Sequence, residues 1–240
     1  MTKKSSNLSM SYNEELINSI EPNFIFSKKP LNRFKLKEIN NIDKGLKKIE
    51  KIEDLKKLIN SIQNCKIKEN SQTLIIGDGN IDSPLMIIGE APGQEEEEKG
   101  KTFQRDQGAL LEKMLMAINI KKANIYSSYA INFRPPEDRK PTSKEIKRYS
   151  IYLKELITII NPKIIILFGS TAMESVTASN QRISDERGKW KEIILKNKTY
   201  PLMITFSPSY LLRFPENKKF SWEDLKKVRQ KILDLKINFQ

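Results

Sequence analysis

Three short apolar runs mark the chain from residue 85 onward. They lie within residues 85–88, 162–169 and 202–205, and are rich in isoleucine, leucine and methionine. Runs of this length with almost no polar position are typical of strands covered on both faces, as in a parallel sheet. Two further strands are predicted at residues 124–132, where the pattern partly alternates, and at 192–195.

The segments around these strands have apolar residues at helical spacing. Residues 46–62 form an amphipathic pattern with a Lys/Glu outer face, and further helices are predicted from Gly108 onward and at 142–160, 170–179 and 222–235. Thr142 is a predicted N-cap, with Glu145 three residues on completing a capping box. Strands that alternate with helices predict an α/β fold, a three-layer α/β/α sandwich with a mostly parallel central sheet.

Two segments of different character make up the predicted domain organisation. Residues 1–64 form an N-terminal arm whose Ser/Asn-rich residues 1–12 we expect to be disordered and whose end carries the amphipathic helix. Residues 65–240 form the α/β domain.

A glycine-rich loop follows the first apolar run. Residues 85–93 read LMIIGEAPG, so the strand ends in a loop with Gly89 and Gly93 on either side of Pro92. Two glycines permit a tight turn and close approach of another molecule, and proline stiffens the loop. Open α/β sheets place their sites at this end of a strand. An ordinary strand-to-helix turn is the alternative.

Charge and cysteine content narrow the partner class. The 240 residues contain 43 Lys and Arg against 30 Asp and Glu, which gives a net charge of +13. Such a charge favours nucleic acid over membrane, although a Lys-rich surface from a biased genome is the alternative. Cys65 is the one cysteine, histidine is absent, and no apolar run reaches membrane length. With no secretory signal in the N-terminal residues, we expect a cytoplasmic monomer that binds DNA.

Four ordered sequence blocks resemble one family. GEAPG with the following acidic stretch, Phe103 and a Gly-x-Leu-Leu segment is followed by RPPEDRKP at 134–141, NPKIIILFG at 161–169 and SPSYLLR at 207–213. Together they resemble the family 4 uracil-DNA glycosylases and their close relatives, from about residue 65 to the C-terminus. The resemblance implies a four-stranded parallel sheet flanked by helices, and removal of uracil or another deaminated base from DNA in base excision repair.

The family's iron–sulfur cluster is predicted to be absent. Classical members carry two cysteines near the position of Cys65 and two more downstream, one of them just before the RPP motif. Here Phe133 stands at that last position and only Cys65 remains. One thiolate cannot hold a four-iron cluster. We therefore expect no cofactor and no metal.

The resemblance assigns the glycine-rich loop to catalysis and base binding. Glu90 is the nearest carboxylate to orient water or offset cationic charge on the sugar, and the backbone of Ala91 would line the pocket beside Gly89, Pro92 and Gly93. The alternative is that Glu90 pairs with a neighbouring arginine or caps the loop that follows it. Glu95 to Glu98 are interpreted as a solvated acidic run. Phe103 matches the family's stacking phenylalanine, with core packing as its alternative.

Two family positions are changed in this chain. The asparagine that reads the pyrimidine edge falls on Tyr129, and a phenol cannot copy the paired geometry of an amide. Asn132 lies three residues on, which strand alternation places on the opposite face. Ser207 stands where the family has a histidine, and it offers one neutral donor to the departing base. Losing a preorganised donor costs about 2.7–4 kcal/mol, roughly 100- to 1,000-fold in rate.

The last block fits contact with DNA. Leu211 or Leu212 is predicted to wedge into the base stack, with a packed helix start as the alternative. The predicted phosphate contacts come from Arg134, Arg213, Lys218 and Lys219.

Two functions therefore remain. The first is a DNA glycosylase in which Glu90, Ala91 and Ser207 are catalytic. The second is a glycosylase-fold protein that binds DNA but has impaired catalysis, as the changes at Tyr129 and Ser207 suggest.

Overall fold

The computed structural model describes the backbone of residues 33–71 and 73–239, and side chains from Gly45 onward. The chain divides into two compact units, Met1–Asp43 and Lys44–Gln240. The predicted disorder of residues 1–12 lies outside the described residues. No helix in the described part is long and apolar enough to cross a membrane.

A mixed sheet forms the middle layer. In the described part of the chain its strands follow the order β1-β3-β2-β4-β6-β5. The inner strands β3, β2, β4 and β6 are parallel, and β1 and β5 pair antiparallel at the two edges. The mostly parallel sheet is confirmed, with two antiparallel edge strands added to the four parallel ones. The strands are β1 Asp78–Gly79, β2 Leu85–Gly89, β3 Tyr126–Tyr129, β4 Ile164–Phe168, β5 Trp190–Leu195 and β6 Lys198–Thr205.

The two faces of the sheet are packed by different helices. Along β2, Leu85 and Ile87 belong to a cluster that includes Leu111 and Leu225, whereas Met86 and Ile88 belong to a cluster that includes Tyr149. The sandwich therefore has three layers, and each isoleucine or leucine buried in it contributes about 1.5–3 kcal/mol. The helices are α1 Arg33–Asn60, α2 Lys66–Asn70, α3 Gln94–Lys99, α4 Arg105–Met116, α5 Ser143–Ile160, α6 Ser170–Thr177, α7 Ile183–Glu186, α8 Pro208–Arg213 and α9 Lys218–Asp234.

Helix starts follow local chemistry. At α5, the hydroxyl of Thr142 accepts a hydrogen bond from the Glu145 N–H, and a Glu145 carboxylate oxygen accepts one from the Thr142 N–H at 2.7 Å, so the predicted capping box is confirmed. Helix α4 begins at Arg105, three residues before the predicted start at Gly108. Gly108 lies inside the helix, and only glycine fits there because a Cβ would come within 2.1 Å of the Phe103 carbonyl oxygen.

The amphipathic helix of the predicted arm shares the main core. Ile52, Leu55 and Ile59 of α1 are buried in the same cluster as Met86. Helix α1 also starts before the predicted residue 46. The division of the chain at residue 64 stays a prediction.

Candidate active site

A cleft opens at the carboxyl ends of β2, β4 and β6. The glycine-rich loop follows β2, Gly169 follows β4 and Phe206 follows β6, so three parallel strands deliver their loops to one edge of the sheet. The cleft has a volume of about 720 Å³. Its lining includes Gly89, Glu90, Ala91, Pro92, Gly93, Phe103, Tyr129, Arg139, Lys140, Gly169, Ser170, Thr171, Phe206, Ser207, Ser209, Tyr210 and Arg213.

The Glu90 carboxylate contacts the first turn of α6. Its Oε1 accepts hydrogen bonds from the Thr171 N–H at 3.2 Å and the Ser170 hydroxyl at 3.5 Å. The side chain lies directly against Gly169, where a Cβ would come within 2.6 Å of its Cγ. The contact is with a helix 80 residues further along the chain, and neither a neighbouring arginine nor the loop that follows Glu90 supplies it. Because Oε2 accepts no hydrogen bond from any described residue, the same carboxylate still has an oxygen for a ligand in the cleft.

Glu96 joins two loops of the cleft. It is 3 % exposed, and its carboxylate accepts hydrogen bonds from the Gly93 N–H at 3.0 Å and the Gln104 N–H at 2.8 Å. Interpreting the whole acidic run as solvated was therefore wrong for this residue, although Glu98 is exposed. The two backbone N–H groups stabilise the buried carboxylate, which in turn holds the glycine-rich loop against the Phe103 loop.

Phe103 and Tyr129 pack against each other beneath Gly89. Their ring centroids are 5.0 Å apart, and the Phe103 N–H donates to the Tyr129 hydroxyl oxygen at 2.8 Å. A Cβ at Gly89 would lie 2.7 Å from each ring, so only glycine permits this packing. Burial raises the pKa of Tyr129 well above its usual value, and the Glu96 carboxylate raises it further. Phe103 lines the cleft yet is 2 % exposed, so its ring is also part of the core.

Ser207 caps the short helix α8 at the cleft wall. Its Oγ accepts a hydrogen bond from the Tyr210 N–H at 3.3 Å and lies 3.0 Å from the Ser209 Oγ. Capping uses a lone pair of the oxygen, so the hydroxyl proton remains available to Ser209 or to a ligand.

The family assignment follows from comparison with known proteins. The model of the uracil DNA glycosylase superfamily matches residues 76–228, the segment that holds the sheet, the glycine-rich loop and Ser207. The chain belongs to this superfamily. The type-4 uracil-DNA glycosylase of Thermotoga maritima is 33% identical over 168 residues, which cover 69% of this chain and 86% of that protein. The Archaeoglobus fulgidus type-4 enzyme is 27% identical over 184 residues, covering 75% and 92%.

The chain also resembles part of a larger protein. A DNA polymerase of Bacillus phage SP01 is 29% identical over 160 residues, which cover 66% of this chain but 17% of that polymerase. The shared segment is thus a small part of that protein.

The iron–sulfur cluster implied by the family 4 resemblance does not fit the residues present here. The Cys65 thiol is buried 3.3 Å from the Tyr149 hydroxyl, and Phe133 packs edge-on against the same tyrosine ring. Two aromatic side chains therefore occupy the surroundings of the one available thiol. Within residues 45–71 and 73–239, no three His, Cys, Asp or Glu side chains are grouped to hold a metal.

Several predicted residues lie away from the cleft. Asn132 is buried, and its amide donates to the Ile75 carbonyl at 3.0 Å, so it holds a neighbouring segment instead of a base. Arg134 pairs with Asp138 at 2.7 Å and with Glu97 at 3.4 Å, which commits its guanidinium to carboxylates.

The two leucines of the last sequence block, Leu211 and Leu212, differ in exposure. Leu211 is 1 % exposed, so the packed-helix alternative holds for it and it is not a wedge. Leu212 is 39 % exposed. Arg213, Lys218 and Lys219 are all exposed, as phosphate contacts require.

Sequence reasoning missed the cations of the 134–141 loop that reach the cleft. Lys140 donates to the Ser170 hydroxyl at 3.0 Å, beside Glu90, and Arg139 makes two hydrogen bonds to Glu145. The charged, proline-rich sequence of this loop could have indicated these cations, but only Arg134 was assigned a role.

Proposed function

We propose that this chain is a DNA glycosylase that hydrolyses the N-glycosidic bond of uracil, or of another deaminated base, and so starts base excision repair. The supporting observation is that the GEAPG loop, Phe103 and Ser207 line one cleft although they lie far apart in sequence. The type-4 uracil-DNA glycosylases that resemble it over most of its length supply the reaction. The net charge of +13 suits a DNA substrate.

The chemistry divides between two sides of the cleft. Glu90, held by the first turn of α6, keeps an oxygen that can orient a water molecule or offset positive charge on the sugar. Ser207 donates a hydrogen bond from its hydroxyl to the oxygen of the departing base. A neutral hydroxyl is a weaker partner for a forming anion than the family histidine, so we expect a rate lower by up to roughly 100- to 1,000-fold than in a histidine-bearing site.

Base binding relies on the loop backbone and the aromatic floor. The amides and carbonyls of residues 89–93 surround the base, and Phe103 contributes the part of its ring that lines the cleft. The Tyr129 hydroxyl is already bound to the Phe103 N–H, so Tyr129 shapes the pocket instead of reading the pyrimidine edge.

On the DNA side, Leu212 is the proposed wedge and Arg213, Lys218 and Lys219 contact phosphates. We propose that a monomer acts in the cytoplasm without a cofactor. The lone thiol and its tyrosine partner support the absence of a cluster.

Excision assays test the function directly. Oligonucleotides carrying one uracil, hypoxanthine or xanthine, single-stranded and paired, are incubated with the protein and treated with alkali to cleave abasic sites. We expect product from the wild type, an about 100-fold or greater loss in Glu90→Ala, and no loss in the control Glu98→Ala, which alters an exposed glutamate of α3. Ser207→His should raise uracil excision.

A DNA-binding protein with impaired catalysis is the second candidate. The engagement of the Tyr129 hydroxyl within the protein favours it, because no amide then replaces the family's edge-reading side chain. Salt-sensitive binding to the same oligonucleotides without product from any of them would refute the glycosylase and establish this alternative.

A further inference from the structure

Three aromatic rings form a ladder from the cleft to the surface. Phe206, Tyr210 and Phe214 are spaced four residues apart, and consecutive ring centroids are 4.8 and 4.9 Å apart. Phe206 and Tyr210 line the cleft, whereas Phe214 is 45 % exposed. The aromatic ladder, Phe206–Tyr210–Phe214, therefore starts at the proposed site of chemistry and ends in solvent.

A partly exposed arginine paired with a buried aspartate lies against the inner end of this ladder. The Arg187 guanidinium lies 5.8 Å from the Phe206 ring centroid and 5.2 Å from that of Phe220. Asp224, which is fully buried, holds this guanidinium through Nε at 3.0 Å and through a second contact. The ion pair therefore holds the cation within cation–π distance of both rings.

Exposed cations flank the outer end in sequence: Arg213 precedes Phe214, and Lys218 and Lys219 follow it beyond the exposed Glu216. Phe220, the other ring that contacts Arg187, is 39 % exposed, with the Lys219 ammonium 5.1 Å from its ring centroid. Exposed aromatic faces combined with a cationic groove are the means by which proteins bind single-stranded nucleic acid. A paired base stacks on its neighbours in the duplex, so only an unpaired base can stack on Phe214.

We propose that the aromatic ladder binds unpaired DNA beside the excised nucleotide, with a neighbouring base stacked on the exposed face of Phe214. The position next to the excised base rests on the proposed function, but the binding of unpaired DNA does not. The ladder makes single-stranded or locally opened DNA the preferred substrate form.

Binding to undamaged DNA tests the ladder apart from catalysis. Fluorescence anisotropy measures the affinity of the full chain for a labelled oligothymidine strand and for its duplex, at one salt concentration. Phe214→Leu removes the aromatic face but keeps an apolar side chain, and Phe214→Trp keeps the face. We expect Phe214→Leu to weaken single-strand binding by about 5- to 150-fold, with the tryptophan variant close to wild type.

Two controls separate stacking from folding and charge. Ile151→Ala changes an isoleucine of α5 that is 70 % exposed, and should bind like wild type. Thermal melting of every variant shows whether the fold is kept. Unchanged single-strand binding in Phe214→Leu, or an equal loss on the duplex, would overturn the proposal.

The excision assay distinguishes the two proposals. Excision by a wild-type protein whose Phe214→Leu variant binds single strands normally overturns the ladder alone. Phe214-dependent binding without excision of any base supports the ladder and overturns the glycosylase alone.

Discussion

Replacing Tyr129 with phenylalanine separates the structural role of this residue from a role in base recognition. The hydroxyl is buried and accepts a hydrogen bond from the Phe103 N–H at 2.8 Å. Tyr129→Phe keeps the ring packing at 5.0 Å between centroids but leaves a backbone N–H without its acceptor. We therefore expect loss of stability instead of loss of specificity.

The expected loss of stability follows from the Phe103 N–H, which Tyr129→Phe leaves without an acceptor. A buried donor without a partner costs about 1–3 kcal/mol. For a unit of this size, that corresponds to a melting temperature lower by roughly 2–12 °C. Thermal unfolding measured by circular dichroism gives this shift, and the excision assay on uracil at a temperature where both proteins are folded gives the activity.

The control is Tyr200→Phe, which removes a hydroxyl that donates to Asn161 Oδ1 at 3.3 Å at a partly buried position. We expect it to melt within a few degrees of wild type, since such a long hydrogen bond contributes about 0.5 kcal/mol or less. An unchanged melting temperature for Tyr129→Phe, together with altered base preference, would refute the structural role and return Tyr129 to base recognition.

Three further variants probe the site and its support. Arg139 and the cap hydrogen bonds lower the pKa of Glu145 to about 2 from an ordinary value of 4.5. Glu145→Gln should therefore cost about 1 kcal/mol in urea titrations above pH 4.5, and this difference should vanish as the pH falls through 2. Gly169→Ala, at a φ of +97°, should displace Glu90 and reduce excision, with a stability loss of about 1–3 kcal/mol in the same titration. Asp224→Asn should lower the free energy of unfolding by about 3–5 kcal/mol, and adding Arg187→Met should restore part of it.

Apolar patterning predicted the inner strands because both of their faces are covered. Residues 164–168 and 85–88 leave no polar position, which a strand open to solvent would show, and the structure places both in the middle of the sheet. The two antiparallel edge strands differed in this respect: a strand was predicted at residues 192–195, within β5, whereas β1 was not predicted. Asp78–Gly79 contains no apolar residue, and its assignment depends on pairing with Tyr126 and Ser127.

The site was predicted less completely because residues that are adjacent in sequence lie in different environments. Residues next to each other on a helix point about 100° apart, so Leu211 is buried while Leu212 is exposed. Glu96 and Glu98, two residues apart, point in nearly opposite directions, so Glu96 is buried and Glu98 is exposed although both belong to a run of four glutamates. The partners of Asn132 and Tyr129 lie 57 and 26 residues away, and no local pattern indicates contacts at that range.

The Glu96 carboxylate couples the glycine-rich loop to the Phe103 loop, so the two loops depend on each other for their positions. It holds Gly93 with one oxygen and Gln104 with the other, so the spacing between the glycine-rich loop and the Phe103 loop is set before any DNA arrives. This part of the cleft is therefore preformed and does not need to close around the DNA. A chimaera that takes the Phe103 loop from a relative should therefore take residues 89–104 together. A graft of either loop alone would leave one oxygen of the buried Glu96 carboxylate without its hydrogen-bond donor.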